Sequence, residues 1–458
     1  MTSPKKPIIF FIRSAPYIRA YRSIILALLG KGFPVVGIFD PRELDQKGMA
    51  FLTDLQIKWP GFSYLKGFRR HGFWKMIILP LREVRNYRRF LVVETKSSFY
   101  ENRCRRFLPR PIQFFIRTFP WANRFIRSAF LGWVLEVAEK LTLVDRAITL
   151  QIKNLEPCFA LIAFRNQPSN SPDLDYLKSA KSLGIQTAIP TPSWDNLTSK
   201  GLIQIIPDRL FVWNEDHVAA AIEHHGIPLE KISIVGAYQF DEWFEKNLPT
   251  TSRDEFCKTV NLRPEDPIVL YMGSSATTND GPRVIEDLWR ALDLSNDRRL
   301  SKVQLLVRPY PMNTGVYEHC NLKGVSVVPK VEVDMNEDKE VNLLFDSIYH
   351  SIAVITVHTT GVIDALIKDK PGIVLLRKDF EVAQDAIHFK HLREHDAVLA
   401  AEGEKECADM ISRILDGHDE KRESRHAFIQ KYLRPHGTQV EVGEIVARRV
   451  VEMINHGV

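Results

Sequence analysis

Short apolar runs separated by amphipathic stretches characterise the first 40 residues of the chain. Residues 7–12 form a continuous apolar run that is typical of a buried strand. Residues 17–31 follow the 3.6-residue period of an amphipathic helix, and residues 33–39 form a second apolar run. A strand, a helix and a strand in this order predict a right-handed βαβ unit within a parallel sheet.

The same alternation returns twice further along the chain. The predicted strands of the first series cover residues 159–164, 186–189, 209–212 and 232–235, and those of the second series cover 268–272, 303–307, 353–357 and 373–376. Amphipathic helical patterns separate these strands in both series. Two series of this kind predict two doubly wound, Rossmann-like α/β domains.

The polar stretch 244–253 separates the two series and is the expected linker. We therefore expect a first domain over residues 1–245 and a second over residues 246–458. A mainly helical, basic insertion at about residues 60–150 interrupts the first domain, and the last helical pattern, 440–454, is expected to pack back on that domain. Two such domains are expected to face each other across a cleft that holds the active site.

Composition favours a protein that works inside the cell. Of the 458 residues, 45% are hydrophobic and 26% are charged, as in an average globular protein. No apolar stretch reaches the roughly 20 residues that a membrane-spanning helix needs. The five cysteines are scattered without a C-x-x-C pair, so neither a disulfide framework nor a thiolate zinc site is indicated. We expect a cytoplasmic protein.

Charge is concentrated in one segment, residues 66–127. This segment holds 16 Lys and Arg against three acidic residues, a local charge of +13 in a chain whose total is +6. Aromatic residues are interleaved with the basic ones, a combination that suits an anionic membrane surface at the inner face of the cell membrane. A solvated helical insertion with core aromatics is the alternative, and nucleic acid is the less favoured partner.

Three predicted strands of the second domain end in residues that suit phosphate and nucleotide binding. Small residues offer close backbone approach, arginine pairs with phosphate, and the start of a helix attracts anions. The candidate donor-binding residues are Gly273, Ser274 and Ser275 after the first strand, Arg308 and Tyr310 after the second, and His358, Thr359, Thr360, Gly361 and Asp364 after the third. Because all three groups follow parallel strands, one ligand can meet them together.

Residues 355–371, ITVHTTGVIDALIKDKP, resemble the nucleotide-binding helix of GT-B enzymes. The segment is similar to the T-D-Y-S-S-x-x-x-D-x-x-x-x-D-K-P motif of CDP-glycerol glycerophosphotransferases, and to the D-S-G-G-x-x-E-E helix of UDP-N-acetylglucosamine 2-epimerases. It departs from the first at Val357-His358, where that family has Asp-Tyr, and from the second at Ala365, where that family has Glu. Both resemblances imply a helix that binds diphosphate, with Asp364 reaching a ribose or sugar hydroxyl.

A polar loop in the first domain, Pro192-Ser193-Trp194-Asp195-Asn196 and onward to Gly201, resembles loops of GT-B-like proteins from bacterial surface-polysaccharide clusters. An inverting transferase needs a general base on the acceptor side. Asp195 is the candidate for that role, and His217 is the second candidate.

These resemblances imply a GT-B glycosyltransferase that moves a sugar from a nucleotide-activated donor to a cell-surface polysaccharide or a lipid-linked glycan. Such enzymes need no bound metal, so the helix start and basic side chains are expected to stabilise the leaving group. The donor, a nucleotide-diphosphate or nucleotide-monophosphate sugar, is a substrate, and we expect no permanently bound cofactor. Two alternatives remain: a glycerophosphotransferase or 2-epimerase-like enzyme, and a non-catalytic nucleotide-binding module.

Overall fold

The computed structural model describes residues 5–93, 98–164, 171–275, 278 and 280–456, and the chain forms two compact units. Unit 1 comprises Met1–Asp241 together with Tyr432–Val458, and unit 2 comprises Glu242–Lys431. Each unit is built on one parallel sheet with helices packed against it.

Seven parallel strands form the sheet of unit 1. They are β1 (Ile8–Ile12), β2 (Val35–Phe39), β3 (Phe62–Lys66), β4 (Phe159–Ile162), β5 (Thr187–Pro190), β6 (Arg209–Val212) and β7 (Ile232–Ile234). Their order across the sheet is β3-β2-β1-β4-β5-β6-β7. Ile8 of β1 pairs with Val35 on one side and Phe159 on the other. Every residue of β1 is buried, which accounts for its uninterrupted apolar sequence.

The helices of unit 1 up to residue 225 fall into two groups, those that cover the sheet and those of the helical insertion. They are α1 (Arg22–Gly30), α2 (Gln46–Lys58), α3 (Phe73–Val92), α4 (Ser98–Arg105), α5 (Arg110–Thr118), α6 (Ala122–Arg127), α7 (Ala129–Leu141), α8 (Arg146–Leu155), α9 (Asp173–Ser182), α10 (Asn196–Ser199) and α11 (Glu215–His225). Helices α3 to α8 form the insertion. It begins later than the sequence predicted, because residues 62–66 form strand β3 of the sheet.

Buried ion pairs join the helical insertion to the rest of unit 1. Arg82 of α3 donates to Glu139 of α7 at 2.8 Å and to Asp175 of α9 at 2.9 Å. Arg70 also donates to Asp175, at 3.0 Å. All four side chains are buried. Removing one partner of such a group leaves a buried charge uncompensated, so the pairs fix how the insertion sits on α9.

Six parallel strands form the sheet of unit 2. They are β8 (Ile268–Met272), β9 (Gln304–Arg308), β10 (Val325–Val327), β11 (Ala353–Thr356), β12 (Gly372–Leu375) and β13 (Leu399–Ala401). Their order is β10-β9-β8-β11-β12-β13. The helices that follow α11 along the chain are α12 (Asp241–Glu245), α13 (Arg253–Val260), α14 (Pro282–Asp293), α15 (Asp338–Tyr349), α16 (Gly361–Ile367), α17 (Glu381–Gln384), α18 (Ile387–Glu394), α19 (Glu404–Leu415) and α20 (Arg422–Phe428).

The last helix, α21 (Val442–His456), belongs to unit 1 and packs against α1. Gly443 makes the close approach of α21 and α1 feasible, since a Cβ atom there would lie 2.4 Å from the carbonyl carbon of Ser23. The buried Asp241 carboxylate accepts from the Gly443 amide at 2.8 Å and pairs with Arg434 at 2.7 Å. The final segment is therefore part of the core of unit 1.

Across the described ranges, no helix is both long enough and apolar enough to cross a membrane.

Candidate functional site

Each sheet has one position at which the chain order reverses. In unit 1 the order runs outward from β1 toward β3 and from β4 toward β7, and in unit 2 it runs outward from β8 toward β10 and from β11 toward β13. A crevice opens at the carboxyl ends of the two strands that flank such a switch point, because their connecting segments leave toward opposite faces of the sheet. The loops after β1 and β4, and after β8 and β11, are therefore the places to look for ligand-binding residues.

The loop that follows β8 is held by one buried carboxylate, that of Asp280. The Ser274 amide donates to both oxygens of this carboxylate, at 2.8 and 3.0 Å, and the Tyr271 hydroxyl donates at 2.6 Å. Burial raises the pKa of Asp280. Gly273 allows the loop to lie close to its neighbours, because a Cβ there would lie 3.1 Å from the Tyr317 hydroxyl and 3.3 Å from Cα of Pro309.

A hydrogen bond joins the loops after β8 and β11. The His358 amide donates to the Ser274 hydroxyl at 3.1 Å. The His358 ring packs against Phe389, with 4.6 Å between ring centroids. Gly273 also donates its amide to the Arg308 carbonyl, at 2.9 Å. The segments after β8, β9 and β11, which the sequence predicted to bind the donor, therefore meet at one edge of one sheet. Ser275, in the segment after β8, is partly buried.

Helix α16 begins without a capping hydrogen bond from the side chain of its own N-cap residue. Thr360 occupies the N-cap position, but its side chain makes no capping hydrogen bond. The neighbouring Thr359 hydroxyl instead accepts from the Gly361 amide at 3.4 Å. Gly361 packs directly on β8, since a Cβ there would lie 2.3 Å from the methyl carbon of Met272. The Thr360 hydroxyl is thus not used to cap its own helix.

Arg308 is a buried cation at the end of β9. Its side chain is 5% exposed, and it donates to the Ser347 hydroxyl at 3.3 Å. No carboxylate among the described residues lies within ion-pair distance of it. Burial lowers the pKa of Arg308 to about 10, and the nearby Glu340 acts in the opposite direction. A buried guanidinium with so little compensation favours an anionic ligand.

Two further predicted residues lie near this edge. Asp364, in the first turn of α16, is partly buried, and that burial raises its pKa well above the usual value. A carboxyl group at this position can form a hydrogen bond with a sugar or ribose hydroxyl. Tyr310, two residues after the end of β9, exposes 39% of its surface.

A cavity of about 250 Å³ lies at the switch point of unit 1. Its walls come from the segments that follow β1, β4 and β5, with one residue from beyond β7. They include Ile12, Arg13, Tyr17, Phe164, Ser193, Asp195, Lys200 and Gln239. The cavity is partly apolar and holds both a carboxylate and cationic groups, so it suits a polar ligand with an apolar portion.

Asp195 lines this cavity with its charge already balanced. Its carboxylate accepts from the Ser193 hydroxyl and from the Ser199 hydroxyl, each at 2.7 Å, and pairs with Lys200 at 2.7 Å. Arg89 of helix α3 holds the following turn from the other side by donating to the carbonyl oxygens of residues 197, 198 and 200. The loop that carries Asp195 is therefore fixed by the helical insertion.

His217 does not line the cavity. It is 3% exposed, its Nε2 lies 3.1 Å from the Trp194 carbonyl oxygen, and its Nδ1 lies 3.4 Å from the Trp213 amide nitrogen. A carbonyl partner for Nε2 and an amide partner for Nδ1 fit the neutral tautomer protonated on Nε2. His217 thus positions the loop next to Asp195 rather than presenting a ring nitrogen to the cavity.

Sequence reasoning overlooked Asp280 and Arg89. Asp280 is an acid shortly after a Gly-Ser-Ser turn, and such an acid often accepts the free amides of that turn. Arg89 is one of the 16 Lys and Arg residues of the basic segment 66–127. Nothing in the sequence separates this buried arginine from its exposed neighbours.

The architecture has clear counterparts among solved structures. A glycosyltransferase from Rickettsia africae aligns with 99% of this chain and 100% of its own, with a TM-score of 0.55 and 12% identity. UDP-GlcNAc 2-epimerase from Neisseria meningitidis, solved with UDP-GlcNAc, aligns with 97% of this chain and 100% of its own, with a TM-score of 0.55 and 10% identity. The chain has the GT-B fold.

A third solved structure, that of the calicheamicin glycosyltransferase CalG4, aligns with 100% of this chain and 99% of its own. The TM-score is 0.51 and the identity is 11%. No protein-family model matches the sequence, and no curated protein matches it either. At these identities the GT-B likeness establishes the fold, which is the predicted one, and the chemistry has to be argued from the site residues.

Proposed function

We propose that this GT-B protein is a glycosyltransferase that binds a nucleotide-activated sugar at the switch point of unit 2. The observation that carries the proposal is Arg308, a buried guanidinium at the carboxyl edge of the sheet that is compensated by one serine hydroxyl. A donor diphosphate would supply the missing negative charge. The structural neighbours include enzymes solved with UDP or UDP-GlcNAc, which supports a nucleotide-sugar ligand.

In this reaction the bond between the anomeric carbon and the phosphate oxygen breaks, and negative charge grows on the leaving nucleotide. Arg308 would stabilise that charge, because a fixed cation in a buried setting interacts more strongly than one in water. Ser275 and the Thr360 hydroxyl lie at the same sheet edge and would contact the phosphates, whereas the Ser274 amide donates to Asp280 and shapes the loop. Tyr310 and Asp364 would contact the base, the ribose or the sugar.

The acceptor side of the proposal rests on the cavity of unit 1. A hydroxyl group of the acceptor forms the new bond to the anomeric carbon and must lose its proton. Asp195, whose carboxylate is fixed by two serines and Lys200, is the proposed base. The proposed acceptor is a surface polysaccharide or a lipid-linked glycan, and the proposed place of action is the cytoplasmic face of the cell membrane.

Thermal unfolding with UDP, CDP, CMP, GDP and dTDP tests the donor assignment. One nucleotide should stabilise the protein, by about 2.7 kcal/mol at a concentration one hundred times its dissociation constant. Arg308→Met should abolish that stabilisation and Thr360→Ala should weaken it. Arg290→Met, which alters an exposed arginine on α14, is the matched control and should keep it. If none of the five nucleotides stabilises the wild-type protein, the donor assignment is wrong.

Product analysis then separates the enzyme classes. A transferase releases its nucleotide only when an acceptor is present, whereas a 2-epimerase-like enzyme changes the sugar without an acceptor. Selective stabilisation by CDP or CMP together with transfer of glycerol phosphate would favour the glycerophosphotransferase alternative. Nucleotide binding without turnover of any donor, in the presence of a cell-envelope acceptor fraction, would favour the non-catalytic module.

A further inference from the structure

In the part of the chain that the structure describes, the exposed Phe and Trp side chains are confined to one region. Across the described ranges they all lie between Phe68 and Trp133, in and around the helical insertion. They are Phe68, Phe73, Trp74, Phe107, Phe114, Phe119, Trp121, Phe125, Phe130 and Trp133. Isolated exposed apolar residues are common on soluble proteins, but such a concentration of large rings marks an interaction surface.

Four of the rings on α5, α6 and their connection contact one another. Phe115 lies 5.0 Å from Phe119 and 5.3 Å from Trp121 between ring centroids, and Trp121 lies 6.5 Å from Phe125. We call these four residues the aromatic cluster. Trp121 is 55% exposed and Phe125 is 45% exposed. The cluster is therefore one continuous apolar patch at the surface.

The aromatic cluster is not needed to pack the helices that carry it. Helix α5 buries Ile116, and helix α6 buries Ala122 and Ile126. Tyr87 and Phe90 of α3 are buried as well, so the insertion has its own apolar interior. Tyr87 and Phe90 thus belong to the interior of the insertion, whereas the aromatic cluster on α5 and α6 lies at its surface.

Exposed arginines surround the aromatic cluster along the chain. They are Arg106, Arg110, Arg117, Arg124 and Arg127. None of the five has an ion pair with a residue in the described part of the chain. Unpaired cations beside an apolar aromatic patch complement a surface that presents negative charge above an apolar layer, which is the layout of an anionic lipid leaflet.

Single-stranded nucleic acid would require a different arrangement of rings. Proteins that bind single strands stack successive bases on the faces of their aromatic rings, which requires open ring faces along a basic groove. In the aromatic cluster the rings contact one another instead, and Phe119 lies 5.6 Å from Trp121. The observations therefore favour a bilayer over a nucleic acid.

We propose that helices α5 and α6 form a docking surface for an anionic phospholipid membrane. The aromatic cluster enters the headgroup region, and Arg110, Arg117, Arg124 and Arg127 pair with lipid phosphates. This proposal deepens the acceptor side of the proposed function, since a lipid-linked acceptor resides in such a membrane. Binding itself requires no donor, no acceptor and no turnover.

Vesicle flotation of the full chain tests the docking surface directly. The protein should float with vesicles that contain phosphatidylglycerol and stay unbound with vesicles of phosphatidylcholine alone. The double variant Arg117→Gln/Arg124→Gln should lose about 30-fold in vesicle affinity, because each basic residue near such a surface contributes about 1 kcal/mol. Trp121→Ser/Phe125→Ser should lose about ten-fold or more.

Two control variants remove the same chemistry elsewhere. Arg283→Gln/Arg448→Gln removes two exposed arginines outside the insertion, and Leu248→Ser/Leu294→Ser removes two exposed leucines. Both controls should float like the wild type. The thermal unfolding transition of each variant without ligand verifies that it is folded, and nucleotide stabilisation in the same experiment distinguishes a failed membrane proposal from a failed donor assignment.

Several results would overturn the proposal. Absence of flotation with anionic vesicles, or equal flotation with neutral ones, would do so. Salt-sensitive binding to an RNA or DNA single strand, without vesicle binding, would assign the surface to nucleic acid. A dimer that dissociates in Trp121→Ser/Phe125→Ser, again without vesicle binding, would show that a second copy covers the aromatic cluster.

Discussion

At the carboxyl edge of the sheet in unit 1 the loop after β5 presents a carboxylate, whereas in unit 2 strand β9 ends in a guanidinium. Asp195 is balanced by Lys200 and two serines, and Arg308 is compensated by one serine hydroxyl. Both groups lie close to the switch point of their sheet. Topology therefore decides where each site forms, and the side chains decide which charge it can accept.

The loops of the two sites are also held in different ways. In unit 2 a carboxylate six residues further along the chain, Asp280, holds the amide of Ser274. In unit 1 a side chain from the insertion, Arg89, holds the turn that follows Asp195. The unit 2 loop thus depends on a local contact, whereas the unit 1 loop depends on a helix more than 100 residues away in sequence.

Asp280→Ala should have the largest effect. It leaves the Ser274 amide and the Tyr271 hydroxyl buried without their acceptor, which should lower the free energy of unfolding by about 3 kcal/mol. Hydrogen exchange of the segment 268–275 should accelerate, and nucleotide stabilisation should be lost. Asp280→Asn keeps an acceptor oxygen and should recover much of the stability. Equal losses in both variants would contradict the role of the carboxylate.

Arg89→Met should have the next largest effect. It removes a cation that holds three carbonyl oxygens and should destabilise unit 1 by about 2 kcal/mol. Exchange should accelerate in residues 196–201 but not in the loop after β8. Arg106→Met removes an exposed arginine of the same insertion and serves as the control. If residues 196–201 exchange at the wild-type rate in Arg89→Met, then Arg89 does not hold this turn.

Arg308→Met and Lys200→Met should change stability in opposite directions. Replacing Arg308 removes a poorly compensated buried charge, so unit 2 should become more stable by about 1 kcal/mol. Replacing Lys200 removes an ion pair with Asp195, so unit 1 should become less stable by about 1 kcal/mol. Urea unfolding of both variants measures the difference. A loss of stability in Arg308→Met would mean that the guanidinium has a structural role.

Tyr310→Ala and Tyr17→Ala should have the smallest effects on stability. Each replaces a tyrosine that is 39% exposed at the edge of one sheet, so neither should change the free energy of unfolding by more than about 0.5 kcal/mol. Tyr310→Ala should weaken nucleotide binding about five-fold through the loss of ring contact. Tyr17→Ala should leave nucleotide affinity unchanged. The reverse result would place the donor in unit 1.

Sequence patterns predicted the central strands well and the edge strands poorly. β1 and β8 are buried on both faces, so their sequences are continuous apolar runs. The strands that were missed, β3, β10 and β13, each form an edge of a sheet. Residues 65 and 66 of β3 are exposed, and β10 and β13 have only three residues each. Short or half-exposed strands leave little periodic signal.

The candidate site shows a similar division. Residues at strand ends, such as Ser274 and Arg308, could be found because parallel strands bring their carboxyl ends to one edge. The contacts that hold the loops could not be predicted from the sequence, because they join distant positions. The hydrogen bond from the Arg89 side chain to the Lys200 carbonyl oxygen is an example. The sequence also could not show whether an N-cap side chain caps its helix. Thr360 occupies the N-cap position of α16 but makes no capping hydrogen bond.

The position of α21 has a consequence for the order in which the chain can fold during synthesis. Val446, Val450 and Met453 of this helix belong to the same apolar core as β1. Unit 1 therefore stays incomplete while the ribosome makes all of unit 2, and it closes only when residues 442–456 have emerged. The unit encoded second can reach its final structure first, and a nascent chain stopped at residue 431 would expose the face of α1 that α21 covers.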